Sequence, residues 1–536
     1  MTSHAPGRRS EERGIALIVT MFLMASLSAL AVSLMFLSNT ETASTRNYKT
    51  MSQARYAGEA GVHAAINYLL STSYTNTAPA LPFTGYDVTK SPVTCTAGCG
   101  HNTTSTCDAS SVSNAVSTGC VVLSGLSGTS SNYPDATIAT AFSTAAQGTL
   151  ATNASGTTTN AAMGTVTYSA AAILLSMQQL TVFGGAKVTV QTWQIIGDGT
   201  VPGPTPATVE VTATIERGPT GLVKEAVFAS NPGCGAITMA GNEVTDSYDS
   251  SAALGSNGKP VTSNSGGSVG TNGNLDIGGN VTIHGMLETP KTGVGNCTSG
   301  SVTAETSSGN ATVDSGYVSI PQTRTMTDPV APSPMPGTTS LQIKSSTTCL
   351  DIQVYLSGGA LCTGSGGNFT ITGNGGTVAL PNVSISSGSL TFAGGTSSTV
   401  NVNINTISLS GGAVVGETSG TSVVMNVAGQ GVSSSGTVLD FTGGSLSTNS
   451  YNPAHFEILY AGTANLKMTG NAGSSALVYA PEAQFTMSGT TDFYGAIISN
   501  KFTDTGGATV HYDRSLGSEF PTVSNYALTA FTWKKY

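Results

Sequence analysis

Eight cysteines, Cys95, Cys99, Cys107, Cys120, Cys234, Cys297, Cys349 and Cys362, are the side chains with the clearest chemical options. An even count suits disulfides in an oxidising compartment and leaves their pairing open. Zinc is the other use of such residues, but structural zinc wants short paired spacings, and these are irregular. The histidines, His4, His63, His101, His284, His455 and His511, form no HExxH or paired spacing. Acids and bases gather only near the C-terminus, where Asp492, Asp504 and Asp513 lie close to Lys501, His511 and Arg514. Asp246 and Asp249 in DSYDSS offer oxygen ligands to Ca²⁺ but lack the spacing of a known loop, so they read as turn residues. Serines are too common for a Ser-His-Asp match to mean anything, and no phosphate-binding or dinucleotide glycine motif is present. The expectation is a chain with no catalytic residues, metal or cofactor.

The elements that would position any such groups come next. A chain of 536 residues is too long for one core. With 66 glycines and only 9% charged residues, it could pass for disordered. Disordered chains are charge-rich and poor in β-branched residues, however, and here Val, Ile and Thr recur throughout, which favours short strands joined by Gly-rich turns. The net charge is −9 and the 19 basic residues are scattered, so nucleic acid is not an expected partner.

Residues 1–14 carry Arg8, Arg9 and Arg13 and run directly into an uncharged stretch from Ile15 to Leu37. As a helix this covers roughly 35 Å, enough for a hydrocarbon core of about 30 Å. It is too long for a secretory signal. Basic residues before it and Glu41 after it put the N-terminus in the cytoplasm and the remainder outside a single-pass inner membrane anchor. The helix is expected to continue to about residue 70 and to become amphipathic. Ala54, Ala57, Gly58, Gly61, Ala64 and Ala65 recur at three- and four-residue spacings, a small-residue face that another element can approach closely.

The motif ERGIALIVTMFL, with Gly14 at the edge of the apolar run, resembles a class III prepilin leader. With SQARYAGEAGVHAAINYLL (52–70) it resembles the N-terminal region of PilX-like type IV pilus assembly proteins. The resemblance implies cleavage by a prepilin peptidase between Gly14 and Ile15, and other pilins or minor pilins as partners through the helix. It also implies a departure. Major pilins carry glutamate at the fifth mature position, where this chain has Val19. That points to a minor subunit, as in PilX-like proteins and the large tip pseudopilin of type II secretion.

Residues 73–162 are Ser-, Thr-, Asn- and Gly-rich and read as a loop-like insertion stapled by Cys95, Cys99, Cys107 and Cys120. From Gly164, strands follow; in ATVEVTATIER the apolar Val209, Val211, Ala213 and Ile215 alternate with polar neighbours, as in a sheet with one wet face. After residue 220 one pattern returns, two apolar positions flanking one residue, then any residue, then Gly: ITMAGN, LDIGGN, FTITGN, LTFAGG, ISLSGG, LDFTGG, LKMTGN, FTMSGT and FTDTGG. A strand and a Gly turn in each copy predict a parallel β-helix, with a β-sandwich as the alternative. Polysaccharide lyases and hydrolases use such scaffolds, but the charges here are too sparse to favour one.

The expected fold is thus α+β, mainly β: a leader at 1–14, a hydrophobic then amphipathic helix at 15–72 and a pilin-like antiparallel region at 73–220. A Gly-rich β-solenoid follows at 221–515, then a strand or cap at 516–536. The expected function is that of a minor pilin or pilus assembly subunit of a type IV pilus or related secretion filament, structural and interacting, with an exposed β-rich ectodomain, periplasmic or extracellular on a pilus, which could meet a surface ligand or tip adhesin. The competing expectation is a membrane-anchored surface adhesin or glycan-binding β-helix protein outside any filament.

Overall fold

The computed structural model of the chain describes residues 12–71, 74, 86–87, 94–95, 121–126, 136–150, 165–185, 187–203, 206–217, 219–448, 451–470, 473–523 and 527–535. One α-helix spans Glu12–Leu70. Inside its apolar part the hydroxyls of Thr20 and Ser26 donate to the carbonyls of Leu17 and Leu23, so polar side chains there are satisfied within the helix. The rest of the described residues are mainly β. The chain divides into two compact units: residues 1–179, 189–218 and 524–536 form one, and residues 180–188 and 219–523 the other.

The first unit carries a sheet in the order Val121–Ser124, Thr167–Thr181, Lys187–Val201, Ala207–Glu216, Ala527–Lys535, with Gln147–Thr149 also paired to Thr167–Thr181. The alternation read in the fourth strand holds on its apolar side, where Val209, Val211, Ala213 and Ile215 are buried in one core with Ala54, Ala57 and Ala65 of the helix, whereas the opposite face is not simply wet, since Glu210 is buried there. Two expectations change. Residues 73–162 are not all loop, because Val121–Ser124 pairs antiparallel with the sheet and a helix at Ala136–Ala145 buries Ile138 and Phe142. Those few apolar residues are enough to recruit the segment. The C-terminal piece 516–536 is also not one element. The turn Leu516–Glu519 and strand Pro521–Val523 belong to the second unit, where the strand pairs with Pro219–Gly221. Ala527–Lys535 instead returns to the first unit, antiparallel to Ala207–Glu216. The second unit is therefore an insertion between two adjacent strands of one sheet.

The second unit is built on parallel strand pairing. The apolar positions of the sequence repeat stand in register: Ile407, Leu439, Leu466, Phe485, Phe502, Ile237 and Leu275 follow one another from strand to strand. A second column, Leu287, Val269, Val227, Ile497, Val478, Ile458, Met425, Val402 and Val378, is fully buried at every position. Each of these side chains gains about 1.5–3 kcal/mol from leaving water, which is why the repeat specifies a stack. FTITGN and LTFAGG belong to a separate five-stranded sheet, with Phe369 beside Leu390.

Spatial order departs from chain order. Residues 227–248 lie between 269–283 on one side and 497–513 on the other. The chain builds outward from its first strands to 305–319, then restarts elsewhere and builds back until its last strands meet its first. The restart is made by a proline-rich strap, residues 320–339. Asn272 both accepts from Arg324 N and donates to its carbonyl. Tyr479 donates to Thr327 O, Asn403 to Pro334 O, Gln430 to Pro336 O and Asn382 to Thr338 O, at 2.6–2.9 Å. Side-chain amides thus satisfy a segment whose prolines cannot join a ladder.

A Gly turn in each repeat copy implies a corner at which the glycine takes positive φ. Gly241, Gly279, Gly411, Gly443 and Gly489 fit, whereas Gly373, Gly394 and Gly506 do not turn that way. At Gly506 the reason for glycine is contact, since a Cβ there would lie 2.4 Å from Gly489 O.

Candidate functional site: the N-terminal helix

The helix has two halves with opposite environments. From Ile15 to Leu37 every residue is exposed, Phe22 at 73% and Met24 at 70%, and the most apolar stretch has a mean hydropathy of 2.5. Length and composition suffice to cross a membrane, and so large an apolar surface calls for lipid or other helices around it. Ile15, the expected mature N-terminus, and Val19 both lie on this exposed half. Gly14 is helical backbone.

The second half is seated on the sheet by small residues. Ala54, Ala57, Gly58, Gly61 and Ala65 are buried, and Ala64 partly so. The contact is reciprocal. A Cβ at Gly58 would lie 2.8 Å from Val211 Cγ2, and one at Gly197 would lie 2.4 Å from Gly58 O. The strand glycines were not singled out from the sequence; the clue was their spacing in QIIGDG, glycines two apart in a strand and therefore on one face. Around this contact Tyr68 packs edge-on to Phe142, Tyr74 meets Trp193, and the Tyr74 hydroxyl donates to Gln191 Oε1 at 2.9 Å. On the helix's outer side Arg55 pairs with Glu59 at 2.9 Å and lies 5.4 Å over the Trp533 ring.

Of the cysteines, Cys234 is bonded to Cys297 and Cys349 to Cys362. Cys95 contributes backbone to the short pair Tyr86–Asp87 and Thr94–Cys95. Cys99, Cys107 and Cys120 lie outside the described residues. The C-terminal acids and bases do not share one site. His511 contacts Asp246 and stands near Asp492, which pairs with Lys259, whereas Asp504 sits beside Glu243 and Asp513 accepts from Ser250 and Ser515. Asp249 accepts from Ser251 as a turn residue does. Among the described residues no group of three or more His, Cys, Asp or Glu could hold a metal ion.

Residues 13–63 match the family described as PilX N-terminal, and residues 366–519 match a domain of unknown function, DUF7305. Among solved structures the chain is similar to the competence-associated pilin ComZ from Thermus thermophilus, with 13% identity over 72% of this chain and 90% of that one. The TM-score of 0.21 is too low to transfer an arrangement. No curated protein matches the chain.

Proposed function

We propose, for a chain whose N-terminal region is that of the PilX-like type IV pilus assembly proteins, that it acts as a minor pilin. The single observation that carries this is the divided helix inside the PilX match: an exposed uncharged half, Ile15–Leu37, followed by a half seated on a sheet through Ala54, Ala57 and Gly58. A plain membrane tether needs only the first half. A filament subunit needs both, one to pack among neighbouring helices and one to hold a head rigidly to the same rod.

In this reading prepilin peptidase cuts between Gly14 and Ile15, and the mature helix joins other pilins from the cytoplasmic membrane. Lacking a glutamate at Val19, the subunit serves in few copies. The parallel ladder of the second unit is read as a β-solenoid displayed outward, a scaffold for contact and not for catalysis. N-terminal sequencing of protein from membranes or sheared filaments tests this. Ile15 at the mature terminus is expected; Met1, or a terminus beyond Leu37, would overturn it.

A further inference from the structure

Where the first strands of the ladder meet the last, buried groups change character. The column Phe441, Met468, Met487, Asp504, Met239 and Ile277 is fully buried, and Asp504 is its one non-apolar member. Asp504 and Glu243 are each 1% exposed, and each keeps a buried carboxylate oxygen without a hydrogen-bond partner, Asp504 Oδ1 and Glu243 Oε2. Glu243 Oε1 accepts from Gly506 N at 3.0 Å. Charging both carboxylates away from water is costly, so the closed site favours holding a proton. Burial, then the charge of Glu243, raises Asp504 to about 7, and burial raises Glu243 as well.

The same seam contains a second proton-holding group. Asp246 and His511 are register partners from the first and last strands, and His511 Nδ1 lies 2.5 Å from Asp246 Oδ1. On its other side Nε2 is 3.9 Å from Asp492 Oδ1, and the ring stacks on Tyr494 at 4.5 Å. Lys259 pairs with the other oxygen of Asp492 at 2.9 Å. An imidazolium between two carboxylates links one side of the seam to the other, while a neutral ring leaves Asp246 buried without a counter-charge. Burial works to lower the His511 pKa, but the bonds to Asp246 and Asp492 outweigh it and the net shift is upward.

We propose that this seam is a proton-dependent latch, closed while the Asp504–Glu243 pair and His511 hold their protons and opening as those protons are lost. The two groups act in the same direction. Opening returns Asp504 to the ordinary carboxylate range, so it releases a proton between about pH 4 and 7. It returns His511 to about 6.5, so it releases a proton from there up to the raised value. Higher pH therefore favours the open seam, by up to about tenfold per pH unit for each proton released.

Hydrogen–deuterium exchange on the full-length protein in detergent, from pH 5 to 8.5, tests this. The seam peptides 237–248 and 502–513 are compared with 399–427 in the same sample, so that the intrinsic pH dependence of exchange cancels. Protection of the seam should fall relative to the reference by tenfold or more across the range. Asp504→Asn should flatten the fall below pH 7 and His511→Gln the fall above it. A disulfide between the neighbours Thr238→Cys and Thr503→Cys should abolish it. A protection ratio constant within about twofold, simultaneous loosening of all three peptides, or a fall unchanged in both single variants would overturn the latch.

Discussion

Gly199 lies directly beneath the backbone of Ala54: a methyl group at Gly199 would stand 1.9 Å from the Ala54 carbonyl oxygen and 2.4 Å from the Gly58 nitrogen. Both obstacles are main chain and cannot rotate away, so the helix must lift from the sheet if that position gains a side chain. Gly199→Ala is expected to cost about 3 kcal/mol, the upper end for overpacking, and Gly199→Val more. Thermal unfolding or protease susceptibility of the first unit would show it. Tyr56→Ser, on the exposed side of the same turn, should stay within about 0.5 kcal/mol of wild type.

Arg324 sits between two acids, 2.5 Å from Glu225 and also paired to Glu288, and it lies over the Phe228 ring. Glu225 is 2% exposed. Burial raises its pKa despite the arginine, so it depends on that partner to stay charged. Arg324→Ala should cost about 3–5 kcal/mol by orphaning a buried acid. Adding Glu225→Gln should recover a substantial part of it. A double variant no more stable than Arg324→Ala would show that the arginine matters through packing alone.

The raised pKa of Asp504 has a sign for overall stability. Folded, the group keeps its proton up to about 7; unfolded, it releases it near 3.8. Its cost is absent below about pH 4, grows as pH rises to about 7 and is constant above. That difference corresponds to an upper value of about 4 kcal/mol. Asp504→Asn should therefore unfold at higher temperature than wild type at pH 8 and lose that advantage by pH 4. An advantage that does not depend on pH would contradict the assignment.

Met468 tests the apolar column without a neighbouring acid. Its register partners are Phe441 and Met487. Met468→Asp should cost several kcal/mol at pH 8, since an unpaired charge or unbonded carboxyl would replace a fully buried side chain. Met468→Leu should cost under about 1.5 kcal/mol. Equal unfolding midpoints for the two would show that the column is not a core.

Gly489 has φ +88° at the end of its repeat. A β-branched residue there is strained by about 1–3 kcal/mol, so Gly489→Val should lower the unfolding midpoint. The exposed Thr505→Val should leave it unchanged.

What could be read from the sequence was what has a local period. An uncharged run of helical length from Ile15 to Leu37, small residues every three or four positions around Gly58, strict alternation from Thr208 to Glu216 and the repeated apolar pair before Gly each determine a neighbour's environment within a few residues. These predicted the helix, its docking face, the strand at Ala207–Glu216 and the inward positions Leu466, Phe485 and Phe502. Which strand lies beside which has no such period. Ile237 pairs with Phe502, Asp246 with His511, and Ala527 returns to Glu216 across an inserted unit of some three hundred residues. The entropy of closing such loops grows only with the logarithm of their length, so distant strands compete as partners almost as well as near ones. Shape and burial then choose, and only the tertiary structure decided that Asp504, an ordinary acid in FTDTGG, would stand beside Glu243 inside an apolar column.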